Sequence, residues 1–329
     1  MKEKVLLISH SKDPDGIISQ ALIIKHLRLT SPSEAMDLEC RLLDYSQLAV
    51  FFNNSIFDGF EKIFISDLPL VEQALSDEQL ISLSEKARLY YFDHHYLSTD
   101  REKLLNRLCF QFVRQGGVSA SELIFRAFSF SDDESLALSK IAHSFDFNIR
   151  NEYFAIGERI MKLINGMQDS DKLLFVQDIA QGIWMSNGQL SEKYQRREQE
   201  IQLCIEQAYH VVEKTRKEVE ICGHLIAIAY SPQILYMKLG MRYLESISPN
   251  CSAILLLTEG ESNLLFSSLQ NLPENVIPVL PFCIYKKGGG RDNAGGFSVG
   301  ITINKRNYHY VSKKLLSEIS EFFQASNKL

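Results

Sequence analysis

The sequence lacks paired cysteines and any long apolar run. Its 329 residues include six cysteines, none of them in a C-x-x-C spacing or an evident pairing pattern. We therefore expect reduced thiols, with no disulfide framework and no zinc cluster. No apolar run approaches the roughly 20 residues that span a bilayer, and Val5–Ser9 is too short for the core of a signal peptide. These absences predict a cytoplasmic protein without a membrane segment.

The chain also lacks an excess of basic residues. Lys and Arg number 35 against 41 Asp and Glu, which gives a net charge of −6. Extended binding of duplex DNA needs a basic face that displaces counterions, so we expect none here. A local basic pocket for one short anionic substrate is compatible with this charge. The composition, 45% hydrophobic and 23% charged, is that of a globular chain that can bury a large core.

Metal-competent side chains follow the strand-like segments of the first half. Three such segments lead into them: Val5–Ile8 into His10, Asp13 and Asp15; Lys62–Ser66 into Asp67; and Ala87–Phe92 into Asp93, His94 and His95. Glu39–Tyr45 is a further predicted strand, and helical patterns such as Val71–Lys86 connect the strands. Because parallel strands present their carboxyl ends at one edge of a sheet, the pattern predicts a ligand site along that edge.

Each of these motifs has a simpler interpretation when taken alone. Asp13 and Asp15 suit a turn and the N-cap of the helical pattern that follows them. His94 and His95 suit a solvated turn with two surface imidazoles. The agreement between three separate strand ends favours the ligand site.

Two further features lie between the histidines and the middle of the chain. Arg114–Leu123 is a Gly-Ser stretch that opens a helix, and such a start offers backbone amides to an anion, although capping alone explains its serines. Asp146 closes the apolar helical segment Leu136–Ile149 and is a candidate buried ligand. Asp169 and Asp171 compete with it, but they lie in a predicted polar loop.

The second half predicts a smaller α/β domain after one long helix. Charged residues surround an apolar stripe from Leu190 to about Val219, which predicts an amphipathic helix. We place a connector at residues 187–219, between domains at 1–186 and 220–329. The expected elements of the second domain are strands at Leu225–Tyr230, Ile254–Thr258, Leu264–Leu269 and Phe297–Ile303, with helices at Gln233–Ser246 and from Val311 onward. The single tryptophan, Trp184, is expected in a core.

A glycine-rich segment, Lys286–Gly296, is the distinctive part of this second domain. It contains two lysines, then five glycines around one arginine: Gly288, Gly289, Gly290, Arg291, Gly295 and Gly296. Glycines let backbone amides approach a phosphate closely while a guanidinium clamps it. The alternative is a long surface loop without a ligand.

These motifs together resemble the DHH phosphoesterase superfamily. The four ordered motifs of that superfamily are matched by His10/Asp13/Asp15, by Asp67, by Asp93-His94-His95 and by Asp146, and Gly288–Gly296 resembles the glycine signature of the DHH-associated substrate domain. The resemblance spans the whole chain. It implies an α/β fold in which an N-terminal parallel-sheet DHH domain is joined by a long helix to a smaller α/β C-terminal domain.

The resemblance also implies two divalent metal ions, with Mn²⁺ as the expected ion. The implied assignments are His10 and Asp13 for one ion, Asp15, His94 and Asp146 for the other, Asp67 as a bridge, His95 facing the scissile phosphate, Asp93 orienting its neighbours, and the glycines with Arg291 on another phosphate of the substrate. Mixed carboxylate and imidazole sets suit Mn²⁺ and related ions, which agrees with this assignment.

The implied activity is hydrolysis of short single-stranded RNA to mononucleotides by two-metal activation of water. Cyclic dinucleotides, 3′-phosphoadenosine 5′-phosphate and single-stranded DNA stay open as substrates, and pyrophosphate fits the glycine signature less well. A catalytically silent nucleic-acid-binding scaffold is a second hypothesis, and a tRNA-contact module is a third. A homodimer is left open.

Overall fold

The structure is a computed structural model in which the chain forms two compact units. It describes residues 2–31, 36–55, 57–186, 189–232, 237–260, 263–268, 277–291 and 294–326. The units are Met1–Glu198 and Gln199–Leu329. The first contains a parallel sheet and the second a mixed sheet, so the predicted α/β class with a parallel N-terminal sheet is confirmed. No helix in the described parts of the chain is long and apolar enough to cross a membrane.

The sheet of the first unit has five strands, all parallel to their neighbours. They are β1 (Glu3–His10), β2 (Met36–Leu43), β3 (Lys62–Ser66), β4 (Arg88–Asp93) and β5 (Gln111–Arg114). The order across the sheet is β2-β1-β3-β4-β5. The chain passes from β1 to β2 on one side and later to β3 on the other, so the strand order reverses between β1 and β3. Open α/β sheets bind ligands in the crevice outside the carboxyl ends at such a point.

Eight helices accompany this sheet in the described part of the first unit. They are α1 (Pro14–Thr30), α2 (Leu48–Asn54), α3 (Asp77–Lys86), α4 (Thr99–Leu108), α5 (Ala120–Ala127), α6 (Asp133–Asp146), α7 (Glu152–Asn165) and α8 (Asp169–Ala180). Several begin at polar N-caps, among them Asp13, Ser76 and Ser119. A small antiparallel pair follows, β6 (Met185–Ser186) with β7 (Gln189–Leu190).

Apolar residues from the sheet and its helices fill the core of the first unit. Leu6, Ile63 and Tyr91 belong to one buried cluster. Trp184 is 3% exposed and meets Phe175 edge to face with ring centroids 6.2 Å apart, so its prediction as a core residue is confirmed.

The second unit is built on a six-stranded sheet in the order β12-β13-β11-β10-β9-β8. Its strands are β8 (Lys217–Ile221), β9 (His224–Ser231), β10 (Ala253–Thr258), β11 (Asn263–Ser268), β12 (Gly289–Arg291) and β13 (Ala294–Ser298). Its helices are α10 (Met237–Ser246), α11 (Val279–Tyr285) and α12 (Tyr308–Ser326). Only the β9–β10 pair is parallel among the described strands of this sheet.

Several predicted boundaries differ from the structure. The long helix, α9, spans Glu192–Thr215, and the division between the units falls inside it. Residues after Thr215 were predicted as helix but form β8, because Lys217–Ile221 alternates polar and apolar side chains and pairs with β9. The predicted strand Phe297–Ile303 ends instead at Ser298.

A buried arginine holds the loop that follows β3 through hydrogen bonds. Arg101 is 5% exposed and donates hydrogen bonds to the carbonyls of Leu70 and Leu75, each at 2.6 Å. Its guanidinium also pairs with Asp77. The loop held in this way runs from the carboxyl end of β3 to α3.

We expect Arg101→Met to lower the free energy of unfolding by about 3 kcal/mol, because it leaves buried carbonyls without donors. Urea unfolding followed by circular dichroism measures this loss. Lys103→Met on the same helix is the control, since Lys103 is exposed and should change stability by less than about 0.5 kcal/mol. Equal unfolding midpoints for the two variants would contradict the role given to Arg101.

Candidate metal centre

The predicted site residues meet at the carboxyl edge of the five-stranded sheet. His10 is the last residue of β1, Asp67 follows β3 directly, and Asp93 is the last residue of β4. All three are buried. The strand order therefore brings together side chains that are up to 83 residues apart in sequence.

The turn between β1 and α1 supplies the first pair. Nδ1 of His10 lies 3.0 Å from Oδ2 of Asp13, while Oδ1 of Asp13 accepts a hydrogen bond from the amide of Gly16 at 3.2 Å. Asp13 is thus the N-cap of α1, as the simpler interpretation held, and it also lies beside His10. Gly16 is required by close approach, because a Cβ there would lie 2.2 Å from the carbonyl oxygen of His10.

Asp67 lies between two groups of candidate ligands. Its Oδ1 is 3.3 Å from Nε2 of His94, and its Oδ2 is 3.7 Å from Nδ1 of His10. Its backbone has φ of +54°, a left-handed conformation that few residues other than glycine adopt, although Asp and Asn do so more readily. Oδ2 is buried and has no hydrogen-bond partner among the described residues. A strained residue with an unsatisfied carboxylate oxygen is typical of a functional position.

The second group consists of Asp15, His94 and Asp146. Nε2 of His94 lies 3.4 Å from Oδ2 of Asp146 and 3.9 Å from Oδ2 of Asp15. Asp146 is the last residue of α6, as predicted. Asp169 and Asp171, which competed with it, are exposed in the first turn of α8 rather than in a loop.

The amides at the start of α5 hold the carboxyl group of Asp15. Its Oδ2 accepts from the amide of Ala120 and its Oδ1 from the amide of Ser121, both at 2.8 Å. The hydroxyl of Ser121 also donates to the carbonyl of Asp15 at 3.0 Å. The Gly-Ser stretch therefore orients a candidate ligand.

Asp93 holds His95 in a fixed orientation. Oδ1 of Asp93 lies 2.7 Å from Nδ1 of His95, and Oδ2 accepts a hydrogen bond of 2.7 Å from the hydroxyl of Tyr91. Nε2 of His95 lies 3.1 Å from the hydroxyl of Tyr45, whose ring stacks on His10 with centroids 4.2 Å apart.

The electrostatics of the site favour cations. Burial lowers the pKa of His10, but the carboxylates of Asp13 and Asp67 outweigh it and raise that pKa to about 10. At His94, burial likewise lowers the pKa, but the carboxylates of Asp67, Asp15 and Asp146 outweigh it and raise that pKa to about 10. Burial, together with the charges of Asp67 and Asp146, raises the pKa of the Asp15 carboxyl well above its usual range. His10, Asp15 and His94 thus retain their protons to a higher pH than usual, because the surrounding carboxylates are negatively charged.

These residues fit a pair of divalent ions. Two sets place one ligand atom from each residue within 4.8 Å of one another: His10, Asp13 and Asp67, and Asp15, His94 and Asp146. A third such set contains Asp67, Asp93, His94 and His95. The donors are imidazole nitrogens and carboxylate oxygens, which suit Mn²⁺ and related ions. The unsatisfied Oδ2 of Asp67 supplies a further donor.

The predicted glycine segment lies in the second unit and forms paired strands rather than a loop. Gly289 and Gly290 of β12 pair with Gly296 and Gly295 of β13. Gly288, just before β12, would place a Cβ 2.0 Å from the carbonyl oxygen of Gly296, so only glycine fits there. The side chain of Arg291, and Asp292 and Asn293 entirely, lie outside the described residues.

Sequence reasoning missed several contributors to the metal centre. Tyr45 and Tyr91 were not singled out. Tyr91 did carry a signal, because residues two apart on a strand share a face, and Tyr91 therefore lies beside Asp93. Tyr45 carried none, since its contact with His95 spans 50 residues.

Comparison with solved structures shows the class of fold. No family model matches this sequence, and no curated protein matches it either. Among solved structures, the chain is similar to a pGpG-specific phosphodiesterase, PggH, from Vibrio cholerae, with 12% identity, 97% of this chain and 99% of that chain covered, and a TM-score of 0.55. It is similar to a DHH domain from a member of a family of ribosomal proteins, with 15% identity, 97% and 87% coverage, and a TM-score of 0.61.

A third similar structure is the exonuclease RecJ bound to manganese, with 10% identity, 97% and 90% coverage, and a TM-score of 0.55. At these identities the likeness shows the fold. The chain has the fold of the DHH phosphoesterases, and the predicted resemblance is confirmed at that level.

We expect Asp67→Asn to weaken Mn²⁺ binding at least about 100-fold, because it removes the carboxylate between the two ligand sets. Asparagine tolerates the left-handed backbone of Asp67, so the fold should be kept. Isothermal titration and metal analysis measure affinity and stoichiometry. The matched control is Asp169→Asn, since Asp169 is exposed, and it should bind Mn²⁺ as the unmodified protein does. Unchanged Mn²⁺ binding by Asp67→Asn would contradict the assignment.

The metal-free protein should lose stability as pH rises from 6.5 to 8.5. His10 and His94 have pKa values raised from 6.5 to about 10, so their contribution is complete below pH 6.5 and declines toward pH 10. Thermal unfolding in EDTA at the two pH values measures this decline. His94→Gln should flatten the dependence, whereas His210→Gln, at an exposed site, should not. A metal-free protein that is more stable at pH 8.5 would contradict the prediction.

Proposed function

We propose that this protein is a metal-dependent phosphoesterase that hydrolyses phosphodiester bonds in short single-stranded RNA, releasing mononucleotides. The observation that supports it is the geometry around Asp67, whose two carboxylate oxygens face two separate sets of candidate ligands. A site that only stabilises the fold would not need two such sets with a histidine held beside them.

In this proposal the ligand sets would hold two divalent ions, with Mn²⁺ as the expected species. His10, Asp13 and Asp67 would bind one ion, and Asp15, His94, Asp146 and Asp67 the other. Bound there, such a pair supplies Lewis acidity and lowers the pKa of a water molecule, which makes hydroxide available at neutral pH.

His95 would contact the scissile phosphate. Because Nδ1 of His95 faces the Asp93 carboxylate, the imidazole keeps its proton on that nitrogen. Nε2, which lies 3.1 Å from the hydroxyl of Tyr45, would exchange that contact for a phosphate oxygen or a leaving group. Burial raises the pKa of the Asp93 carboxyl, but the bond to His95 outweighs it and leaves that pKa below its usual range. The carboxylate therefore stays charged and can stabilise a protonated His95.

The second unit would contribute substrate contacts through its glycine segment. β12 is an edge strand of the described sheet, so one side of Gly289–Arg291 has no strand neighbour there. Glycines at such an edge let a ligand approach the backbone. We propose that amides of this segment, with Arg291, bind another phosphate of the substrate.

Other nucleotide substrates remain candidates, because related folds differ in what they cleave. One similar structure is a pGpG-specific phosphodiesterase and another is an exonuclease. Cyclic dinucleotides, 3′-phosphoadenosine 5′-phosphate and single-stranded DNA are therefore alternatives. A silent scaffold is disfavoured, since a chain that had lost the chemistry has no need to keep six candidate ligands assembled.

The test is hydrolysis by the intact protein with Mn²⁺ of RNAs of two to five residues, longer single-stranded DNA, cyclic dinucleotides, 3′-phosphoadenosine 5′-phosphate and pyrophosphate. We expect mononucleotides from the short RNAs, and His95→Asn should lower kcat by about 100-fold or more while Mn²⁺ binding persists. Chromatography of the products measures both the substrate range and the loss in the variant.

His210→Asn is the control for this series, because that histidine is exposed on α9 and should leave kcat unchanged. Hydrolysis of another member of the series, but not of RNA, would move the proposal to that substrate. No hydrolysis of any member by protein that binds Mn²⁺ would favour the scaffold.

A further inference from the structure

A cavity of about 620 Å³ lies beside the metal centre in the first unit, among helices α5, α6 and α7. This volume is in the range of small-molecule binding sites. None of its lining residues belongs to the ligand sets described above. The cavity is therefore distinct from the ligand sets that would carry the proposed chemistry.

Two parts of the cavity wall adjoin the metal centre. Gly117 and Val118 line it and precede the helix start whose amides hold Asp15. His143 lines it one turn before Asp146 on α6. One helical turn is about 5 Å, so a ligand that contacts His143 would lie about one turn of α6 from Asp146 of the second ligand set.

Rings continue the same connection. The ring of His143 lies 4.8 Å from that of Phe147, and the ring of Phe147 lies 5.9 Å from that of His94. The ring of Phe147 thus lies between His143 of the cavity wall and the candidate ligand His94.

The charge in the cavity is opposite to that of the metal centre. Arg126 and Lys140 are the cations of its lining and Glu122 is the single acid. Glu122 is already engaged, since it pairs with Arg126 and has Oε2 3.1 Å from Nδ1 of His143. In a chain with a net charge of −6, this local excess of positive charge favours an anionic ligand.

Lys140 is held in a way that leaves its charge available. Its Nζ lies 5.4 Å from the centre of the Tyr153 ring, and it forms no ion pair with a carboxylate in the part of the chain that the structure describes. Lys140 is exposed, and a cation over a ring at an exposed site is bound weakly, by about 0.5–1 kcal/mol. A phosphate can therefore recruit Lys140 without breaking a salt bridge.

Apolar side chains complete the cavity and suit a planar ring. Val118, Phe125 and Ile149 form this part of the lining, together with the ring of Tyr153. Nucleobases stack on aromatic and apolar surfaces of this kind, and the adjacent sugar phosphate would carry the negative charge.

We propose that this cavity binds the nucleotide unit next to the scissile phosphate, with Lys140 on its phosphate and Tyr153 beside its base. This inference rests on the proposed function, since it assigns a substrate subsite to that metal centre. It makes the α5–α7 cavity the element that distinguishes nucleotides from simpler phosphodiesters.

The experiment compares the intact protein with Lys140→Ala on two substrates in the presence of Mn²⁺. One is a two-residue RNA, and the other is bis(p-nitrophenyl) phosphate, which has no nucleotide to place in the cavity. We expect KM for the RNA to rise about tenfold, because a charge-assisted contact is lost, with kcat little changed. The kinetics of bis(p-nitrophenyl) phosphate should stay within about twofold.

Matched variants separate the cavity from general effects. Lys86→Ala removes an exposed lysine at the end of α3, near the amino end of β4 and therefore away from the carboxyl edge that holds the site. It should change the kinetics of neither substrate. Tyr153→Leu should raise KM for the RNA, whereas Tyr153→Phe, which keeps the ring, should not. Unchanged RNA kinetics in Lys140→Ala, or an equal loss on both substrates, would overturn the proposal.

Binding of AMP to the metal-free protein tests the cavity without catalysis. Isothermal titration should show that Lys140→Ala weakens AMP binding about tenfold and that Lys86→Ala does not. If the intact protein hydrolyses neither substrate, the proposed function fails, and AMP binding then decides the cavity alone. Equal AMP affinity in the intact protein and Lys140→Ala would overturn the subsite.

Discussion

Repulsion between four clustered carboxylates, three of them buried, is the constraint on which the first unit depends. Asp13, Asp15, Asp67 and Asp146 converge on one edge of the sheet, in groups whose ligand atoms lie within 4.8 Å of one another. Two like charges 4 Å apart repel by about 4 kcal/mol near a protein surface, so four of them cannot remain ionised without compensation. The fold supplies part of that compensation and leaves the rest to cations.

Helix starts provide part of the compensation that the fold supplies, together with the protonated imidazoles of His10 and His94. Asp13 caps α1, and Asp15 accepts two amides at the beginning of α5, so both carboxylates lie where the helix dipole is positive. Asp146 is placed in the opposite way, at the end of α6, and Asp67 retains a buried oxygen without a partner among the described residues. These two carboxylates depend most on added positive charge, which is why the region favours divalent ions.

The sequence predicted the strands and their polar ends better than it predicted the support around them. Strand β3 was placed at its observed residues, and the ends of β1 and β4 were placed within two residues, because apolar runs that stop at polar residues are local signals. The contact of α5 with Asp15 spans 105 residues, and a contact of that kind leaves no local pattern. No sequence pattern predicts the left-handed backbone of Asp67 either, since Asp is common in ordinary turns. The pairing of the glycine segment had no sequence signal either, because glycines typical of loops can also pair in a hairpin.

The three residues Asp93, His94 and His95 differ in role because the strand ends among them. Asp93 still belongs to β4, so the strand alternation places its side chain on the same face as Tyr91, and both of its oxygens are engaged there. His94 and His95 lie beyond the last strand residue and are released from that alternation. Their rings can therefore turn toward the same centre although they are adjacent in sequence, with centroids 4.5 Å apart. A longer β4 would point consecutive histidines to opposite faces of the sheet, and the end of the strand is thus what allows both to serve one site.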